Sequence, residues 1–286
     1  MKNIVVTGAT GTVGISILPL LLNENVTVQA ITRSAQYLNM THPKLTVVEA
    51  DIARPDTLRD VLQKADALFL TGGLLEMDTI QNDIIDVAQA QGVPFVVKLS
   101  AMGASPDAPV QMFQKHHAVE QHLRASGVPY CLLQPNSFTQ NLFMYAPTVK
   151  KQGAIYAALG DGAVSYIDVR DIARVAAQVL LTGPESHRNQ AYALTGPTAE
   201  TMQQNAETIG QIIDKEITYH PISYEESREA MLGYGVQEWL ADDLVGIARL
   251  GAEGKASRVT TCVEDITGSA PRTVRDTVEE YQDIFR

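Results

Sequence analysis

Apolar positions along the first half of the chain alternate between two patterns. Short continuous runs fall at residues 4–6, 26–32, 45–50, 67–71, 94–99 and 130–134. Between them lie segments whose apolar residues recur at helical spacing, at 15–22, 55–64, 78–90 and 110–125, with Gly92 and Gly127 as stops. A short run that is apolar throughout reads as a strand covered on both faces. Strict strand–helix alternation then predicts a parallel, doubly wound α/β sheet of the Rossmann type. Beyond residue 140 the alternation weakens. A helix is expected at 168–181, a strand at 191–196, a short strand at 216–219, and helices at 199–213, 223–233, 236–252 and after Pro271. The expected organisation is a dinucleotide-binding unit over 1–195, with 136–162 lining a substrate cleft, and a smaller, mostly helical substrate lobe over 196–286.

Ligands of such sheets bind beyond the carboxyl ends of the strands, so the residues at those ends carry the chemistry. The first strand runs into Gly8-Ala9-Thr10-Gly11-Thr12-Val13-Gly14 and then a helix. Gly8 suits a tight turn, Gly11 allows close backbone approach to a pyrophosphate, and Gly14 lets the helix pack against the strand. The helix start, around Thr10, Thr12 and Val13, offers free N–H groups to the anion. The second strand ends in Arg33-Ser34 where an acidic residue would mark NAD. A guanidinium suits a 2′-phosphate, which predicts NADP(H); the alternative is a solvated loop arginine. Asp51-Ile52, Thr71-Gly72-Gly73, Ser100-Ala101 and Pro135-Asn136 extend the expected groove, Asp51 toward the adenine and Ser100 toward the nicotinamide ribose.

Composition narrows the functional classes. The chain has 286 residues and a formal net charge of −11, which argues against a general phosphate-backbone binder and predicts no direct nucleic-acid partner. The two cysteines, Cys131 and Cys262, have neither metal spacing nor a disulfide pattern, so no metal is expected. No secretory pattern or membrane-length apolar run occurs, and a cytoplasmic protein is expected.

Five segments together carry a resemblance to a known family. They are Thr7 to Gly14; Lys98-Leu99-Ser100; His116-His117-Ala118-Val119-Glu120 before Ser126-Gly127-Val128-Pro129-Tyr130; Leu133 to Asn141; and Gly160-Asp161-Gly162 through Tyr166-Ile167-Asp168-Val169-Arg170-Asp171-Ile172-Ala173. The chain resembles the NmrA-like group of atypical short-chain dehydrogenases/reductases, and within it the type 2 NAD(P)H:quinone oxidoreductases and triphenylmethane reductase. The resemblance implies hydride transfer from NADPH to a conjugated, electron-poor small molecule such as a quinone. It leaves two alternatives: an imine or enone reductase, or a dinucleotide-sensing regulator that binds a protein partner without turnover. A homodimer is a further expectation.

One departure bears on mechanism. Typical short-chain dehydrogenases use Tyr-x-x-x-Lys on the helix after the fifth strand; here that stretch holds His116-x-x-x-Glu120, one helical turn apart. His116 is a candidate proton donor near neutrality, and Ser100 a second candidate catalytic group. Alternatively, His116 and Glu120 hold the helix in place. Expected substrate contacts are Met102, Phe138, Asn141, Phe143 and Tyr166, with Met144 and Trp239 as further candidates for that wall; Phe138 and Phe143 could equally form core between the lobes. Asp168 and Asp171 read as a helix cap and first turn rather than as catalytic groups.

Overall fold

A computed structural model describes residues 1–286. Its elements begin with β1 (Lys2–Val6), α1 (Thr12–Leu22), β2 (Val26–Thr32), β3 (Leu45–Glu49), α2 (Arg59–Leu62), β4 (Ala67–Leu70) and α3 (Met77–Ala90). They continue with β5 (Val96–Leu99), α4 (Gln111–Ala125), β6 (Tyr130–Pro135), α5 (Ala146–Gln152), β7 (Ala154–Ala157), β8 (Ala163–Val164), α6 (Val169–Thr182) and α7 (Pro184–His187). The chain closes with β9 (Gln190–Leu194), β10 (Glu200–Thr201), α8 (Met202–Ile213), β11 (Thr218–Pro221), α9 (Tyr224–Gly233), α10 (Glu238–Ala252), α11 (Cys262–Thr267) and α12 (Val274–Glu280).

Seven strands form one sheet in the order β3-β2-β1-β4-β5-β6-β9, every pair parallel. The apolar runs are buried on both faces except at the edge strand β3, none of whose residues is fully buried. Ile4, Val6, Val28 and Phe69 pack under α1 and α6, with Ile17, Leu21, Ile172 and Val175. Val5, Leu68, Leu70 and Leu132 pack under α3 and α4, with Ile84, Val119 and Leu123. The strand order reverses direction between β1 and β4, which opens the crevice where dinucleotides bind. Thr7 holds that crevice. Its buried hydroxyl bonds to the Phe69 and Thr71 carbonyls and accepts the Thr71 N–H at 2.9 Å.

The smaller lobe has its own core, built from Leu142, Val149, Ile155, Met202, Ile209, Val278 and Phe285. It is not a contiguous tail. β7 pairs with β11 and β8 with β10, so residues 154–164 belong to the lobe together with 200–221. Conversely, Val263 of α11 packs into the sheet core. A single cut at 195 therefore does not describe the packing. Three local expectations also change. Residues 55–64 form a 3₁₀ turn (Pro55–Leu58) followed by only the short α2. The stretch after β6 holds a further 3₁₀ turn (Thr139–Tyr145), α5 and β7, none of which shows a clean period. β11 lies two residues beyond the strand expected at 216–219.

Candidate functional site

The Gly8–Gly14 turn has the shape a pyrophosphate cradle needs. Gly8 has a positive φ of 58°. A Cβ on Gly14 would lie 2.1 Å from the Gly8 carbonyl oxygen, so only glycine lets α1 start this close to β1. A Cβ on Gly11 would meet nothing nearer than 3.2 Å, and Gly11 is exposed. The first helical hydrogen bond runs from Ile15 N–H to Gly11. The preceding N–H groups of Thr12, Val13 and Gly14 are therefore free, no side chain caps them, and no acidic residue lies in the first turn. Gly8, Thr71, Gly72 and Ile52 converge here: a Cβ on Gly72 would lie 3.0 Å from Ile52 Cδ1, and one on Gly8 2.8 Å from Thr71 Cγ2. Gln81 Nε2 bonds to the Gly72 carbonyl at 2.7 Å and fixes the Gly72-Gly73 backbone.

Toward the adenosine end, Arg33 is exposed and joins no ion pair in the protein. Ser34 N–H bonds to Thr32 Oγ1. Asp51 Oδ1 accepts the Ala53 N–H at 3.1 Å, forming its own turn, and the residue remains exposed. These residues fit a phosphorylated dinucleotide: an open anion cradle, a free guanidinium at the ribose position, and backbone without Cβ where the ligand must come close.

A cavity of about 660 Å³ opens over the carboxyl ends of β4, β5 and β6. Its floor includes Thr71, Gly72, Ser100, Ala101, Met102, Pro135, Asn136, Phe138 and Asn141, all expected from the sequence. Met77, Met112, Phe113 and His116 form a wall, and Leu244, Ile247 and Leu250 of α10 form the roof. Among the lining residues only His116 and Lys255 carry ionisable side chains. The volume suits a mid-sized organic ligand, and the lining favours a largely uncharged one.

Several expected roles change with these positions. Phe143 does not reach the cavity; its ring packs at 5.3 Å from Tyr281 and 5.9 Å from Phe285 in the lobe core. Tyr166 is buried in the same core. Burial and the neighbouring Tyr145, Tyr219 and Glu200 push its phenol far above the ordinary range and keep it neutral. Met144 is exposed, and Trp239 lies under Lys115 rather than in the cavity. Ser100 Oγ donates to Glu120 Oε1 at 2.5 Å. Its one proton is committed, and a ligand can use Ser100 only as an acceptor. The Asn136 amide is likewise spent, on Ser165 Oγ, the Ala256 carbonyl and the Ser137 N–H.

His116 needs a sharper revision. Burial, and then the charge of Lys98, hold its pKa well below the ordinary histidine value. It is a neutral imidazole at physiological pH, not the imidazolium acid that its reference value suggests. Lys98, on β5, is wholly buried, and its Nζ lies 3.0 Å from His116 Nδ1 and 3.0 Å from the Leu99 carbonyl oxygen. Burial lowers its pKa to about 7, with Glu120 opposing the shift. Glu120 is buried too; Oε1 accepts from Ser100 and Gln134, and Oε2 lies 3.8 Å from Arg124. The sequence pairs His116 with Glu120, but it assigns no role to Lys98 or Gln134, which complete the cluster. The available signal was a lysine inside an otherwise apolar strand, one residue before the strand end.

The fold and this groove define a dinucleotide-binding protein of the Rossmann class. The chain belongs to the NAD(P)H-binding family, whose model matches residues 8–182. It is 32% identical to the NAD(P)H azoreductase of Xenophilus azovorans over 99% of both chains. The structure of the NADPH-dependent quinone oxidoreductase QOR2 of Escherichia coli, complexed with NADPH, is similar at TM-score 0.88 and 26% identity, over 97% of this chain and 99% of that one. Triphenylmethane reductase of a Citrobacter species shares the fold at TM-score 0.87 and 23% identity, over 98% and 99% of the two chains. No helix is long and apolar enough to cross a membrane.

Proposed function

We propose that the protein is an NADPH-dependent reductase of flat, electron-poor acceptors, with quinones and azo compounds as the leading classes. The carrying observation is the cavity itself: about 660 Å³, largely apolar and free of acidic side chains, above the strand ends that flank the crevice. The azoreductase and quinone oxidoreductase relatives point to the same chemistry and favour it over a regulator without turnover.

In this reading Gly8 to Gly14 hold the pyrophosphate, with the free α1 N–H groups as donors. Arg33 binds the 2′-phosphate, Ser34, Asp51 and Ile52 flank the adenosine, and Thr71 to Gly73, Ser100, Ala101, Pro135 and Asn136 line the nicotinamide half. When bound, the reduced nicotinamide supplies a hydride. The chain supplies position and dryness: Met102, Phe138 and Asn141 sit beneath the acceptor, Phe113 and Met112 beside it, and α10 excludes water from above. No tyrosine–lysine dyad stands on α4, consistent with acceptors that take hydride without prior protonation. A cytoplasmic location and a homodimer belong to the same proposal; sedimentation tests the second.

The test is NADPH oxidation by the purified protein against quinones, azo dyes, triphenylmethane cations, imines and enones. Turnover with quinones or azo dyes at rates above the others supports the reading. Absence of turnover with every class overturns it.

A further inference from the structure

Lys98 is the least explained side chain in the molecule. It is wholly buried, yet the adjacent Glu120 carboxylate accepts at Oε1 from Ser100 and Gln134, faces Arg124 with Oε2, and makes no ion pair with the Lys98 ammonium. A buried cation without an ion-pair partner is costly, and an apolar side chain of the same length would serve packing better. Its hydrogen bonds go to a backbone carbonyl and to one ring nitrogen of His116. The other ring nitrogen, Nε2, makes no hydrogen bond in the protein and is not sealed off from solvent; His116 itself lines the cavity.

Resting on the reductase reading, we propose that Lys98 is the proton reservoir of the site and sets the tautomer of His116. The Lys98 ammonium donates to Nδ1, so the neutral imidazole carries its proton on Nε2, facing the acceptor. A quinone or azo bond reduced by two electrons needs one hydride and one proton. His116 Nε2 gives that proton to the reduced oxygen or nitrogen, while Nδ1 takes a proton from Lys98 Nζ. The products are the neutral Nδ1–H imidazole and a neutral amine, and charge balances without a free imidazolate. Once product leaves, water returns a proton to Nε2 and Nδ1 passes its own back to Lys98. A lysine whose pKa burial lowers to about 7 can make this exchange near neutrality. Lys98 is thus a positioning residue that acts through His116, and His116 is the group that touches the acceptor.

Two measurements test this. Nitrogen-15 NMR of the histidine rings reads the tautomer without turnover. The wild type should show a protonated Nε2 and a bare Nδ1 at His116; a protonated Nδ1 overturns the proposal. The second measurement compares two acceptors: a quinone, which needs hydride and proton, and a triphenylmethane cation, which becomes its neutral product on taking hydride alone. Lys98→Met should lower the ratio of quinone to cation rate at least tenfold. Lys98→Gln, whose amide can still donate to Nδ1 but cannot surrender a proton, should keep the Nε2–H tautomer and still lose the ratio. His116→Phe should match Lys98→Met. A variant that slows both acceptors equally assigns Lys98 a structural role and overturns the relay while leaving the reductase reading intact. If the wild type reduces nothing, the reductase reading fails and the relay falls with it.

Discussion

Arg33 and Lys98 represent opposite ways to place a cation. Arg33 is exposed and free of protein partners, so its charge is available to a ligand at little cost. A charge-assisted hydrogen bond to phosphate contributes about 1.5–3 kcal/mol, roughly ten- to a hundredfold in affinity. Arg33→Glu should therefore weaken NADPH binding by at least about tenfold and leave NADH binding nearly unchanged, as read by fluorescence titration of both cofactors. Lys98 is buried, and its folded pKa of about 7 lies below the ordinary lysine value of 10.5. Between those values the unfolded chain binds more protons than the native one, so Lys98 costs stability that is recovered as pH rises. The penalty is full below about pH 7. Glu120 and His116 are the titratable groups packed against it. Lys98→Met should melt above wild type at pH 6 by a few degrees, with the gap narrowing by pH 9. Both residues stand at strand ends, but only Arg33 is legible there, because an exposed cation is read by position alone. The function of Lys98 depends on a partner eighteen residues away on another element. Phe143 and Tyr166 mislead for a related reason: an aromatic ring suits a substrate wall and a core equally well, and only three-dimensional packing separates the two.

At the level of elements, the roof and wall of the cavity are joined by one carboxylate. α4 begins at Gln111 with no side-chain cap of its own. Asp243, buried on α10, accepts the Gln111 and Met112 N–H groups, both at 2.8 Å. A residue 131 positions on thus performs the capping that a local Ser or Asp usually performs. Gly246 brings α10 close: a Cβ there would meet Val110 Cγ2 at 2.9 Å. Asp243→Ala removes two charge-assisted bonds and should destabilise by about 2–3 kcal/mol. It should also loosen the roof, raising KM for the acceptor more than KM for NADPH, since the dinucleotide cradle lies on α1; steady-state kinetics with each substrate varied in turn checks this. The helix 236–252 was readable from its apolar period, and α10 spans nearly that range. Its placement over the cavity was not, since period gives a buried face without naming what covers it. The strand and helix order through β6 was readable for the opposite reason: a parallel sheet buries its central strands locally and consistently.

Across the whole molecule, two aspartates at the start of α6 fasten the lobe to the sheet. Asp171, fully buried, accepts from Arg174 on α6 and from both the backbone and side chain of Arg272. Asp168 caps α6 through the Arg170 N–H, pairs with the Arg170 guanidinium, and accepts from Thr277 on α12 at 2.7 Å. Arg170 extends the chain of contacts to Glu280. The capping role of Asp168 follows from its position in the sequence, but the reach to residues 272–280 needs the tertiary structure. Burial pushes the Asp168 carboxyl up, but the hydrogen bonds from Arg170 and Thr277 and the Arg170 charge together bring it below the ordinary range. For a carboxyl lowered in the folded state, the native chain holds fewer protons than the unfolded one. The stabilisation is present above the ordinary carboxyl value of 3.8 and disappears as pH falls through the lower folded value. Asp168→Ala should be less stable than wild type at pH 7, and the gap should shrink below about pH 4 as wild-type Asp168 takes up its proton. Asp171→Ala removes the carboxylate shared by Arg174 and Arg272 and should cost about 2–3 kcal/mol, since both guanidiniums still reach solvent. Because these contacts join the two cores and the cavity lies between them, both variants should lose acceptor turnover in parallel with the near-ultraviolet circular dichroism of the lobe aromatics. NADPH should protect the sheet from proteolysis at concentrations where the lobe is already cut. Cleavage of both parts at one rate would instead show that the molecule unfolds as a single unit even without these carboxylates.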